Sequence, residues 1–587
     1  MRSTTRIAAL GLAGVLLAAC HHKDKDAPLA FVPADTPYVV ANLDVLDDDT
    51  RKALLAQADS QLPAELTQLR SAADDMAEKD ADASRLLKAF IAELDGKTIE
   101  SFAQNAGLNV KGRSAFYGLG LSPVVRFELI DPKAFDAFVG RLEAAYGKPF
   151  DTAKLGDLTY RKHVSAEAGV QVVLAVVGKQ AVAAALPADA PEATLRLALG
   201  LDRPSKSIQD DGRLDKLAKD KGYQPWAIGQ VDLARLLPLA ASGKDPMFNA
   251  LRKARAESES AKTGEPIANQ LQVAPSCEGE AVRIATRVPS MSFGYTKLDG
   301  KHQALRWDVA LADDITKAFS GLKVEMPGLG ATANAPFDVS LALPIAQLRT
   351  FWSAQAEAVA AKPFTCPALV DLNESFAKIG MMSQQAAVPP VGDLLGMRVV
   401  LDSFEAGSND SMPKFSGRVL IGTANPTGLL AMAQMAASGL SQLKLSTDGK
   451  PVALPPEVTA PLGTPVWAAM GPKALAIAIG PGEDAKLGEL LGAANGDAGS
   501  LGHLQLSGEM YQAWVKAMAA KAEHIAELTA SSQSDDPDAE ATAKATAERT
   551  KAQFESMQSQ ADRIKSLSGD MRMDREGLII TSDTVLK

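Results

Sequence analysis

The chain alternates two hydrophobic rhythms. Short runs of period two mark half-buried strands, and longer stretches with apolar residues every three or four positions mark helices. The run Val124-Val-Arg-Phe-Glu-Leu-Ile-Asp-Pro132 ends on Asp-Pro and passes into a helical stretch. Pro132 suits the first helical position, where its missing N–H costs nothing. A counterpart, Arg418-Val-Leu-Ile-Gly-Thr-Ala-Asn-Pro426, places its proline 294 residues later. At that same distance Val172-Val173 falls on Val466-Trp467, Lys179 on Lys473 and Pro187 on Pro481. Near the ends, Pro37-Tyr38-Val39-Val40 matches Pro336-Phe337-Asp338-Val339. Asp299, Asp308 and Leu311 match Asp574, Asp583 and Leu586 at a distance of 275. Order, spacing and element type recur together, which predicts an internal duplication.

Each half is expected to open on a strand (37–43; 336–343) and to pass through the Asp/Asn-Pro strand and its helix. A late strand follows (225–231; 503–508), then a long helical section. A hairpin such as Met291–Leu298 with Ala304–Leu311, turning at Asp299-Gly300, closes the half. Strands from both ends of a half imply non-sequential pairing. The expected fold is therefore α+β, with two tandem homologous lobes (37–312 and 313–587), mainly antiparallel sheets and a long helical hairpin in each. In the second hairpin Tyr511, Trp514, Met518, Ile525 and Leu528 form one stripe. Pro537 marks the next helix start, and Phe554, Met557, Ala561 and Ile564 form the facing stripe. Such stripes are usually internal packing, with docking of an envelope protein partner as the functional alternative.

The N-terminus carries an address. Arg2 and Arg6 precede an apolar run from Ile7 to Leu17, too short to cross a membrane permanently, so residues 1–19 read as a cleaved export signal. The ending Leu17-Ala18-Ala19-Cys20 resembles the bacterial lipobox. That resemblance implies a diacylglycerol on the Cys20 sulfur, cleavage before Cys20 and acylation of the new amino group. His at position 21, by the same resemblance, favours the outer membrane, with the body facing the periplasm. Residues 20–36 then read as a lipidated, solvated tether. His21 and His22 with Asp24 and Asp26 make a poor metal site, because a floppy chain does not preorganise a ligand shell.

Composition narrows the function classes. The chain has 587 residues, 46% hydrophobic and 22% charged, enough for several packed units and too apolar for wholesale disorder. A mean hydropathy of −0.03 excludes a polytopic membrane protein. The net charge of −10 gives no global footprint for nucleic acid. Cys277 and Cys366, left over after Cys20, form a disulfide candidate in an exported chain, joining one half to the other.

Candidate chemistry is thin. Gly480-Pro-Gly-Glu-Asp-Ala485 formally fits a dinucleotide loop, but Glu483 and Asp484 put negative charge where a pyrophosphate belongs, so a turn before a helix is the better reading. Ser375-Phe-Ala-Lys378, Ser320-Gly-Leu-Lys323 and Ser441-Gln-Leu-Lys444 have the Ser-x-x-Lys form without its downstream partners. His163, His302, His503 and His524 are scattered. No catalytic, cofactor-binding or metal-binding residue is assigned, and enzymatic activity is not expected.

Val32-Pro-Ala-Asp-Thr-Pro37 leading into Tyr38–Leu43, with Asp131-Pro-Lys-Ala-Phe135, resembles a family of uncharacterised bacterial envelope proteins. The second half departs from it at Asn425-Pro-Thr-Gly-Leu429. The resemblance implies no activity. The expectation is an outer-membrane-anchored periplasmic lipoprotein acting as a non-enzymatic binding or scaffolding module. The alternatives are a carrier of an apolar ligand between the lobes and, less favoured, a hydrolase with a dispersed site.

Overall fold

The computed structural model describes residues 24–587 apart from 78–79, 166–167, 265, 268–270, 406, 408–413, 533–549, 552 and 556. The fold mixes helix (44%) with strand (28%), so neither class dominates. The first ten strands are β1 (Tyr38–Ala41), β2 (Ser114–Leu119), β3 (Ser122–Glu128), β4 (Asp151–Leu155), β5 (Leu158–Ser165), β6 (Val170–Val177), β7 (Gln180–Pro187), β8 (Ile228–Asp232), β9 (Ser290–Leu298) and β10 (His302–Ala310). The rest are β11 (Phe337–Ala342), β12 (Leu394–Glu405), β13 (Lys414–Thr423), β14 (Val452–Ala453), β15 (Val466–Gly471), β16 (Ala474–Ile479), β17 (Ser500–Ser507), β18 (Ile564–Met573) and β19 (Gly577–Leu586).

All of these strands join one antiparallel sheet. The pairings run β4-β5-β6-β7-β3-β2-β1-β8-β9-β10 through the N-terminal half. They continue through the C-terminal half as β19-β18-β17-β11-β12-β13-β16-β15-β14. The halves meet where β10 pairs with β19, through nine residue pairs from His302–Val585 to Ala310–Gly577. Moving outward from this seam, each half presents its last three strands, then its first three.

The register repeats as well. Val124 lies opposite Ala184 as Arg418 lies opposite Ala478, and Val173 opposite Ala184 as Trp467 opposite Ala478. At the seam Ala304 faces Asp583 and Asp308 faces Ile579, two pairs that exchange under a shift of 275 residues. A local two-fold axis therefore passes through the Arg306–Thr581 pair.

Helices cover the outer parts of the sheet. In the N-terminal half Val173, Ala175, Val182 and Ala184 pack with Leu195, Ile208 and Leu214 on one face. Leu174, Val176 and Phe127 point the other way, under Leu66, Phe102, Phe135 and Phe138. The C-terminal half repeats the two layers: Val400, Leu420 and Ala476 under Leu487 and Leu490, and Val339, Leu504 and Leu506 under Met510 and Trp514. Asp131 and Asn425 cap the helices that start at Pro132 and Pro426, accepting from Ala134 N and Gly428 N respectively.

Two expectations change. The Gly508–Ser532 helix packs Trp514 on Phe337, ring centroids 4.9 Å apart. On the returning arm Ala561 is fully buried, but Ile564 opens β18 opposite Leu586, because sheet pairing outcompetes another helical turn. Pro537 and the side chains of Ile525 and Leu528 lie outside the described residues. The stretch expected to complete a solvated tether is instead hydrogen-bonded to the body from Asp24 and buried from Ala27 onward. Pro28–Phe31 forms a 3₁₀ turn, and Leu29, Phe31 and Val32 are buried in the N-terminal core. Three apolar side chains among charged and small neighbours give no periodicity to read, yet burial of each contributes about 1.5–3 kcal/mol.

Buried charge sets the strongest local constraint. Arg398 donates to both Asp338 oxygens at 2.9 and 2.7 Å, with both side chains almost fully buried. Asp338→Ala, leaving the guanidinium buried alone, is expected to lower the unfolding free energy by about 3–5 kcal/mol in urea titrations. Lys378→Ala, which breaks the exposed Lys378–Glu374 pair, should cost less than about 1 kcal/mol. Equal losses would contradict this reading.

Candidate functional site: an apolar row across the seam

In an antiparallel sheet directly opposed residues point to the same face. Phe116, Val40, Gly229, Phe293 and Trp307 oppose one another in turn across β2, β1, β8, β9 and β10. The row continues over the seam through Ile580, Met571, Gly502, Leu341 and Met397 on β19, β18, β17, β11 and β12. Ten strands at about 4.8 Å make an apolar line of roughly 43 Å. Helices cover parts of this face, with Met510 and Trp514 over β11 and β17, so that Phe293, Trp307, Met571 and Leu341 are half-buried while four members of the row are exposed. Phe116 is 44% exposed, Val40 37%, Ile580 38% and Met397 42%. Gly229 is required here, since a Cβ would lie 2.1 Å from the Phe293 ring. That ring settles over the glycine and stacks on Trp307 at 4.6 Å. Exposed apolar residues aligned in this way are more than isolated surface positions, which makes the row a candidate contact face.

The opposite face of the same strands is polar. Gln230, Ser292 and Asp308 align across β8, β9 and β10, and Gln505, Ser568 and Asp583 align likewise across β17, β18 and β19. Arg306 grips both Asp308 oxygens at 2.8 and 2.7 Å, and the Tyr223 hydroxyl donates to Asp308 at 2.5 Å. Burial opposes ionisation of Asp308, but these donors hold its carboxyl below the usual range. Burial and the neighbouring carboxylate push the Tyr223 phenol up. A cavity of about 210 Å³ opens beside them, lined in part by Lys221, Gln230, Ser292 and Glu576.

His503 enters this face in a way its isolated position along the chain did not signal. Its Nδ1 lies 2.8 Å from Asp570 Oδ1 and its Nε2 lies 3.2 Å from Thr332 Oγ1. Hydroxyl, imidazole and carboxylate thus line up in the order used by acyl-transfer enzymes. Asp570 is 59% exposed, however, so its charge is screened by water where a catalytic relay needs a dry site. The line-up ties the loop at Thr332 to the sheet.

The other sequence candidates separate. Cys277, near the start of the Ser276–Ala285 helix, and Cys366 have Cα atoms 4.8 Å apart with their sulfurs at bonding distance. Glu280 accepts from Thr365 N and Cys366 N at 2.8 and 3.0 Å, fixing the loop that presents Cys366. Glu483 turns inward to Arg418 at 2.8 Å, so the Gly480 loop directs a carboxylate into an ion pair. Ser375 Oγ donates to Asp371 O, and Lys378 pairs with Glu374. Cys20, His21 and His22 lie outside the described residues. Among the described residues no group of three or more His, Cys, Asp or Glu could hold a metal ion, and no helix is long and apolar enough to cross a membrane. No family model, curated protein or solved structure matches the chain.

Two outcomes follow. Because the folded-state pKa of Asp308 is depressed, its contribution to stability is complete above the ordinary carboxylate value near 4 and lost as pH falls through the folded value. Urea titrations should find the gap between wild type and Asp308→Asn closing below about pH 4; a constant gap would contradict the assignment. Peptide maps without reductant should recover Cys277 and Cys366 as one linked pair, and two separately alkylated thiols would refute the pairing.

Proposed function

We propose that the protein is a periplasmic lipoprotein, held on the outer membrane by acylated Cys20, that works as a non-enzymatic binding or scaffolding module. The single observation carrying this reading is the apolar row, exposed at Phe116, Val40, Ile580 and Met397. Soluble surfaces do not normally align Phe, Trp, Ile, Met and Leu across ten strands without a partner to cover them. On the polar face Arg306, Tyr223, Asp308 and Lys221 are engaged in internal pairs. Tandem duplication accounts for the row's position: the repeated pairing register, the paired Gln-Ser-Asp alignments and the axis at Arg306–Thr581 support two homologous lobes joined at their last strands. The row then crosses the junction that duplication created. The helices of residues 508–532 and 550–563 form the proposed hairpin of the second lobe.

One feature favours the carrier reading as runner-up. Met571 and Met397 lie in the row two and five strands from Trp307, and flexible thioethers adapt to ligands of varied shape. Lipid between the lobes would lie along this line.

Cross-linking in intact cells, with mass spectrometry of bound proteins and extracted lipids, separates the readings. A recurrent protein partner is expected for wild type and its loss for Ile580→Glu, whose exposed position tolerates the change. Stoichiometric lipid without a protein would favour the carrier. Capture that is unaffected by Ile580→Glu would contradict the row as the contact face. Cys20→Ala should release the protein into the soluble periplasm, and continued membrane retention would refute the anchor.

A further inference from the structure

The packed N-terminal segment determines how the body meets its membrane. Asp24 receives Arg113 Nη2 at 2.5 Å, and its carbonyl accepts from Gln209 at 3.1 Å. Arg203 donates to Lys25 O at 2.7 Å and to Asp26 Oδ1 at 3.1 Å, while Gln180 donates to Asp26 O. Phe31 lies between two guanidinium groups, with Arg126 3.9 Å and Arg203 3.6 Å from its ring centroid. Arg126 is fully buried and donates to Gln180 Oε1 and to the Ala198 carbonyl rather than to a carboxylate, so the Phe31 face adds to its compensation. Gly200 allows this packing, since a Cβ there would lie 2.5 Å from Arg126 and 2.7 Å from Phe31. The chain is thus clamped from Asp24 onward, at the end of the sheet where β2 begins and β3 finishes.

We infer that this clamp seats the protein directly on a lipid bilayer, with the sheet end bearing Lys111, Arg113 and Arg203 against the headgroups. The inference rests on the reading of Cys20 as the acylated residue. From Cys20 to Asp24 the chain spans at most about 14 Å even fully extended. The opposite end of β3, at Ser122, lies about 20 Å from its Glu128 end, and the next residue back, Leu121, donates its N–H to Asp245 beside Lys244. A bilayer holding the acyl chains therefore meets the Lys111 end and leaves the Lys244 end clear. Cations at the seated end are matched by carboxylates: Lys111 by Asp48, Arg113 by Asp24 and Glu128, and Arg203 by Asp26. Such a surface complements zwitterionic headgroups. The apolar row crosses the strands, so seating by the strand ends sets it along the membrane plane. Val125 of β3, opposite Phe116 at the end of the row, lies about 10 Å from the seated end.

The test uses the full-length lipidated protein in vesicles of phosphatidylethanolamine and phosphatidylglycerol. Environment-sensitive probes are attached at Lys111→Cys or Lys244→Cys, both exposed positions. A headgroup-attached quencher should quench the Lys111 probe at least about three-fold more than the Lys244 probe. A Gly-Ser insertion of about ten residues between Lys23 and Asp24 leaves the clamp intact but frees the body, and should abolish the difference. Equal quenching at both sites, or a difference that survives the insertion, would overturn the seating. Failure of the wild-type protein to float with vesicles would refute the anchor itself, and the seating with it.

Discussion

The pairing of β10 with β19 is the interaction on which the rest of the molecule depends. Each half has its own cores on both sheet faces, so each has the means to bury its apolar residues. What neither half can do alone is satisfy the outer edge of its last strand. An unpaired edge is a row of open donors and acceptors, and two such edges antiparallel to one another close both at once. The seam makes two packed units into one sheet and places Trp307 beside Ile580. Cys277 and Cys366 add a second connection between the halves, from helix to loop.

From the seam follows the division of labour between faces. Residues alternate sides along β10, so Trp307 and Val309 face one way and Arg306 and Asp308 the other. On one side Arg306, Tyr223 and Asp308 consume their own hydrogen-bonding capacity and stiffen the junction. On the other, helices cover much of the sheet, including β11 and β17 under Met510 and Trp514, and part of an apolar row stays exposed between them, at Phe116, Val40, Ile580 and Met397. In the proposed function this gap is where a partner is received. In the proposed seating, the N-terminal clamp orients this row relative to the membrane.

Much of the framework was legible because it repeats. The 294-residue spacing was visible in Pro132 and Pro426, and the pairing register carries that spacing through Val124 and Arg418. The β9–β10 hairpin was readable from Asp299, whose carboxylate accepts from Lys301 N and His302 N. The apolar row was not legible, because its members come from ten strands and become neighbours through pairing alone. His503 found Asp570 by the same route, and Thr332 through a loop folded over the sheet. Ile564 carried a helical spacing that a strand partner overrode. The N-terminal segment misled for a different reason: its order depends on Arg126 and Arg203, far along the chain.

Hydrogen exchange at the seam is the most direct test of this account. The paired amides of β10 and β19 should be protected to the same degree as those of β3 and β13 within the halves, and should open with them as one cooperative unit. Rapid exchange confined to β10 and β19, with the halves remaining protected, would mean that two independent bodies merely touch, and the continuous apolar row would lose its basis.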